Sequence, residues 1–174
     1  MSSGPDATQA AGPAGTATAA ATAGAGAPAE LTIADLVPHA GSMCLLERIV
    51  GWDDTHVQLA TQSHARADNP LRHAGRLSVV MLCEYGAQAT AVHGGLLAAC
   101  TGGRAPPGFL VSLREVTLTD VALEQLAGEI DVQATRLHGD GSGWQYTFAV
   151  SHQGRLLASG RTAIMLRREP PRDS

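Results

Sequence analysis

Leu77-Ser78-Val79-Val80-Met81-Leu82-Cys83-Glu84-Tyr85-Gly86-Ala87-Gln88-Ala89-Thr90-Ala91-Val92 is apolar or small at nearly every position and carries one acid, Glu84. The run predicts a helix from Leu77 to about Ala99, weakened late by Gly94-Gly95 and ended before Gly102-Gly103. A helix apolar on almost every face has to be enclosed by other structure. An ionised carboxylate in such a place is costly unless paired. Glu84 therefore either faces solvent through a gap or is kept inside for chemistry.

Upstream of the helix, Asp35-Leu36-Val37-Pro38 closes a short helical turn, because proline disfavours helix in the residue before it. Met43 to Val50 reads as a strand with a charged break at Glu47-Arg48. His56 to Gln62 alternates polar and apolar, as a half-buried strand does. A polar loop follows from Ser63 to Arg76, with turn residues at Asp68-Asn69-Pro70 and Gly75. Downstream of Pro106-Pro107-Gly108, alternation returns in Phe109 to Thr119, Glu129 to Leu137, Trp144 to Ser151 and Leu156 to Leu166, the last two joined by a turn at Gln153-Gly154. Two strands, one enclosed helix and four more strands define an α+β fold, a curved antiparallel sheet wrapped around one long central helix. One sheet covers one side of a helix only, so pairing with a second subunit is expected.

The chain of 174 residues suits a single domain. Residues 1–29 form an Ala/Gly/Thr-rich leader with no aromatic or large aliphatic side chain beyond Met1, which predicts disorder. The leader lacks the basic start and apolar core of a secretory signal. Residues 30–167 are expected to fold, and 168–174 to form a flexible tail. A net charge of −4 gives no attraction to nucleic acid or anionic membranes, and no apolar stretch reaches the ~20 residues of a membrane span. Every basic residue is arginine, which we attribute to codon usage. Cys44, Cys83 and Cys100 are odd in number, lie in apolar contexts and read as small buried hydrophobes of a reducing cytoplasm. The histidines lack metal-ligand spacing, so no metal is expected. With aromatics at only 3%, a narrow slot lined by Ala, Gly, Val and Leu is expected rather than an aromatic pocket.

Two stretches carry a family likeness, and a wider pattern narrows it. Leu36-Val37-Pro38-His39-Ala40-Gly41-Ser42-Met43-Cys44-Leu45-Leu46-Glu47-Arg48-Ile49 resembles the opening segment of hotdog-fold 3-hydroxyacyl-carrier-protein dehydratases, and Glu84-Tyr85-Gly86-Ala87-Gln88-Ala89 resembles their helix motif. Asn69-Pro70-Leu71-Arg72, Gly75-Arg76-Leu77 and His93-Gly94 are similar to the dehydratase-like branch associated with aryl polyene and fatty-acid-type synthesis. The likeness covers roughly Leu31 to Leu166. One element departs from the pattern. The family's Gly-His-Phe-Pro loop is absent, and the corresponding stretch reads Asn69-Pro70-Leu71-Arg72-His73-Ala74-Gly75.

The resemblance implies elimination of water from a 3-hydroxyacyl thioester to a trans-2-enoyl thioester. That reaction needs a base near the α-carbon, an acid near the hydroxyl and N–H donors on the thioester carbonyl. It assigns Glu84 as the acid, with Gln88 one helical turn on to hold it in one rotamer. The base is His73, eleven residues before Glu84, or His64, twenty before, or neither. His39 is expected to make a structural hydrogen bond, and His93, half a turn from Glu84, to be packed or capping. Arg72 and Arg76 are candidates for a phosphopantetheine phosphate or an acidic carrier protein. No cofactor of its own is implied, since the substrate arrives on the phosphopantetheine of an acyl carrier protein. The expected partners are that carrier and a second hotdog subunit, as homodimer or heterodimer, in the cytoplasm. Two rivals share the fold: a non-catalytic partner of an active dehydratase, and an acyl thioesterase.

Overall fold

A computed structural model describes residues 31–167; the expectations for the leader and the tail lie outside the described residues. Six strands form one antiparallel sheet: β1 (Arg48–Trp52), β2 (His56–Thr61), β3 (Gly108–Leu118), β4 (Ile130–Gly139), β5 (Gly143–His152) and β6 (Arg155–Leu166), in the spatial order β1-β2-β4-β5-β6-β3. A one-turn helix, α1 (Ile33–Leu36), precedes the sheet, and the long helix α2 (Leu82–Cys100) follows β2. This is the hotdog architecture that the order of elements predicts. The strand before Glu47 does not form; Gly41–Met43 makes a 3-10 turn instead, and β1 starts at Arg48. The run from Leu77 likewise begins with a 3-10 turn, Val79–Met81, so Glu84 lies in the first turn of α2.

Alternation becomes burial where a strand has α2 above it. Ile130, Val132 and Ala134 of β4 and Tyr146, Phe148 and Val150 of β5 point into the core, against Tyr85, Ala89, Val92 and Leu96 of the helix. Gly86 lets the helix settle onto the Phe148 ring, which any β-carbon at 86 would strike. The cysteines divide: Cys83 is buried and Cys44 partly so, but Cys100, the last residue of α2, is exposed.

β3 differs from expectation in an informative way. Its sequence alternates, yet Phe109, Leu110, Val111, Leu113, Val116 and Leu118 are all exposed, because β3 is the outermost strand. Both of its faces are apolar. The opposite edge, β1, is five residues long, carries a register break between Ile49 and Gly51, and is guarded by the Arg48–Glu129 ion pair at 2.6 Å. Among the described residues no helix is long and apolar enough to cross a membrane.

His93 occupies the far side of α2 from Glu84, fully buried. Its Nε2 lies 2.8 Å from the Asp53 carbonyl, which can only accept, so Nε2 carries the proton and Nδ1 accepts from the Tyr146 hydroxyl at 2.8 Å. Burial holds the His93 imidazole below its ordinary value of 6.5, against the raising effect of the Asp53 carbonyl, with Arg136, Asp53 and His56 as nearby charges. Burial also pushes the Tyr146 phenol up to about 12. The unfolded chain therefore binds a proton at His93 that the folded chain resists, so stability is full above about 6.5 and falls as pH drops through the folded value. Melting temperature is expected to decrease between pH 7.5 and 5.5, with a shallower decrease in His93→Gln. A flat profile in the native chain would contradict this.

Candidate active site

α1 is one turn held at its start by Asp35, whose carboxylate accepts the Thr32 N–H at 2.9 Å and the Thr32 hydroxyl at 2.6 Å. Those bonds hold the Asp35 carboxyl below the usual carboxylate range. Pro38 follows, and the chain crosses α2 with His39 facing the helix. The crossing is close because Gly95 has no side chain: a β-carbon there would come within 2.8 Å of the Leu36 carbonyl oxygen. Gly95→Ala is expected to push α1 outward, cost about 1–3 kcal/mol in urea unfolding, and carry His39 away from the helix.

His39 Nε2 lies 3.1 Å from Glu84 Oε1, with the two side chains 29% and 31% exposed. Glu84 is thus neither sealed in the core nor free in water; it lines a groove. Gln88, one turn on, is fully buried and makes three contacts. Its Nε2 donates to the Met43 carbonyl at 2.8 Å and to Glu84 Oε1 at 3.1 Å, and its Oε1 accepts the Leu45 N–H at 3.0 Å. A carbonyl can only accept and an N–H only donate, so the amide has one permitted orientation. Glu84 Oε1 therefore always meets an N–H donor from Gln88.

The segment beneath His39 is fixed from both sides. Thr61 and Ser63 hydroxyls each donate to the Leu45 carbonyl at 2.7 Å. Having spent its proton there, Ser63 Oγ accepts from the Tyr85 hydroxyl at 2.9 Å, which accepts in turn from Asn69 Nδ2 at 2.9 Å. The Cys44 thiol donates to the His39 carbonyl at 3.2 Å. His39 Nδ1 is buried and has no hydrogen-bond partner among the described residues. Nε2 is the ring nitrogen on the Glu84 side.

The groove has a volume of about 800 Å³. One stripe of α2, Glu84, Ala87, Ala91, Gly95 and Ala99, forms its floor, a span of fifteen residues or ~22 Å. Leu36, Phe109, Trp144 and Ile164 wall it; His39 and Glu84 stand at one end, and Arg104, beyond the helix, at the other. The slot is lined by small and aliphatic side chains as composition suggested, with Trp144 and Phe109 as additions.

The other sequence candidates are not brought to Glu84. His64 is fully buried with Nε2 3.2 Å from the Leu126 carbonyl, and burial holds its imidazole below the ordinary value. His73 sits in an exposed turn, bridged to Arg76 through the backbone. Arg72 donates to the carbonyls of Gly75 and His64, both at 3.0 Å, and Arg76 faces Glu124 at 3.8 Å. None of the four lines the groove. Sequence reasoning gave His39 only a structural role; the signal for more was its place beside Pro38 in a motif that has to pack on α2.

Fold and groove together define a hotdog-class protein whose open face carries an acid and an imidazole. Over residues 31–171 the sequence matches the ApeP-like family, described as ApeP dehydratase, and the chain belongs to that family. No curated protein matches it. The fold is similar to that in the dehydratase heterocomplex ApeI:P from Xenorhabdus doucetiae, with TM-score 0.71 and 24% identity over 80% of this chain and 93% of that one. It is also similar to a hypothetical thioesterase with coenzyme A from Streptococcus pneumoniae (TM-score 0.53, 13% identity, 70% of this chain and 86% of that one). A third likeness is to zebra fish thioesterase superfamily member 2 (TM-score 0.52, 18% identity, 78% and 91%).

Proposed function

We propose that this protein dehydrates a 3-hydroxyacyl thioester to a trans-2-enoyl thioester in fatty-acid- or polyene-type synthesis, the acyl group being presented on the phosphopantetheine of a carrier protein. The observation that carries the reading is the meeting of Glu84 and His39, 3.1 Å apart, at the head of an apolar groove. Elimination requires one proton to leave the α-carbon and one to reach the departing hydroxyl. Groups that do both must stand together, beside a slot that takes an acyl chain without stranding polar groups. Gln88 is a positioning residue: it fixes the carboxyl and touches no substrate.

β3 supports a second subunit. Its first residues lie against the groove, where Phe109 and Leu110 form part of the wall, so a hotdog chain pairing along this edge would also close the site. The heterocomplex formed by the similar Xenorhabdus protein supports a hotdog dehydratase as that partner. A second reading, a non-catalytic subunit, is favoured by the loop Asn69–Gly75, which offers only the exposed His73 where the family carries its Gly-His-Phe-Pro histidine.

Turnover of a 3-hydroxybutyryl thioester by the purified protein, alone and mixed with a candidate hotdog dehydratase, separates the two. Formation of the enoyl product by the protein alone is expected. Silence alone with altered turnover in the mixture would select the partner role.

A further inference from the structure

We infer that Glu84 Oε2 is the single proton carrier of the elimination, and that His39 acts as a neutral N–H donor rather than as its base. The inference rests on the dehydratase reading. Both protein contacts to the Glu84 carboxyl fall on Oε1, where the Gln88 amide, locked by Met43 and Leu45, donates. A proton on Oε1 would face that N–H, donor against donor. Oε2 has no hydrogen-bond partner among the described residues and is not sealed off, so it is the oxygen that can gain and lose a proton toward the groove.

His39 is built the other way. A ring that accepts a proton on Nε2 carries its own proton on Nδ1, and that Nδ1–H needs an acceptor. Here Nδ1 is buried without one among the described residues. Nε2, beside Glu84 Oε1, is the ring nitrogen that can carry an N–H to the groove. What it can do is present that N–H to an oxygen that gains negative charge, such as the thioester carbonyl of an enolate.

The step then balances with one acid. Ionised Oε2 takes the proton from the α-carbon, and the C–H electron pair passes into the enolate, whose oxygen accepts from His39 Nε2–H. As the pair returns to form the Cα–Cβ double bond, the Cβ–O bond breaks, and the departing hydroxide takes the proton back from Oε2 to leave as water. The carboxylate is regenerated, and both events occur on one face of the substrate.

Two measurements test this. In kcat/KM for a 3-hydroxyacyl thioester, His39→Ala is expected to fall about a hundredfold, as loss of one charge-stabilising donor does. His39→Gln, which restores an N–H but cannot act as a base, should recover at least about tenfold of that loss. On the wild-type protein, hydration of a trans-2-enoyl thioester in D₂O should add deuterium and hydroxyl to the same face, a readout that needs no variant to fold. An active wild type with His39→Gln no better than His39→Ala, or with anti addition, would overturn the assignment while leaving the dehydratase reading in place. A wild type inactive both alone and with a partner would remove that reading, and the assignment with it.

Discussion

Glu84→Gln is expected to lower kcat for a 3-hydroxybutyryl thioester by a hundredfold or more, the size of effect that follows loss of a proton-transferring group. The substitution suits the purpose because it is gentle on structure. A glutamine at 84 still offers an oxygen to the Gln88 amide, and the half-exposed position imposes no large desolvation cost. Melting temperature should therefore stay close to that of the parent chain while the rate collapses. A steady-state assay following enoyl thioester absorbance, paired with a thermal melt, decides the matter; an undiminished rate would end the role of Glu84.

Gln88→Leu should show the opposite balance, with a large effect on stability and a secondary one on rate. Leucine fills similar space but strands the Leu45 N–H and the Met43 carbonyl, and Gln88 itself is only 1% exposed. Each stranded group costs about 1–3 kcal/mol, so a loss of about 2–6 kcal/mol in urea unfolding is expected from the two. That is a large share of the ~5–15 kcal/mol by which domains are stable. Below the melting range the rate should fall as well, because the carboxyl loses the contact that selects its rotamer. Gln88→Glu is a useful contrast: it keeps an acceptor for Leu45 but turns the donor facing Glu84 into a second acid. Its rate should suffer more than its stability does relative to leucine.

The fold was readable because its signals are local. α2 announces itself by a run of small and apolar residues, and β2, β4 and β5 by alternation that survives as burial. Glu84 and Gln88 were readable as a pair because four residues along a helix put them on one face. His39 was not, since its approach to Glu84 depends on the Leu36–Gly95 crossing, a contact between residues 59 positions apart that no periodicity encodes. His64 and His73 attracted interest through proximity in sequence to Glu84. The chain between them spends its turns on the Asn69–Tyr85–Ser63 network and on the Arg72 hydrogen bonds, which send one ring inward and leave the other outside. Arg104 and Trp144 join the groove from opposite ends of the fold, for the same reason beyond reach of a linear pattern.

The two margins of the sheet are unlike, and that sets how far assembly can run. An adhesive border on both sides would let copies stack edge to edge without limit, toward filaments. Here the adhesive border is β3 alone, interrupted by the register break at Arg114–Thr117 where Glu115 meets Arg161 at 3.0 Å, while β1 is short, kinked and charged. If β3 takes up the second subunit proposed above, each molecule has only its blunt border left to offer, and growth would end at a pair.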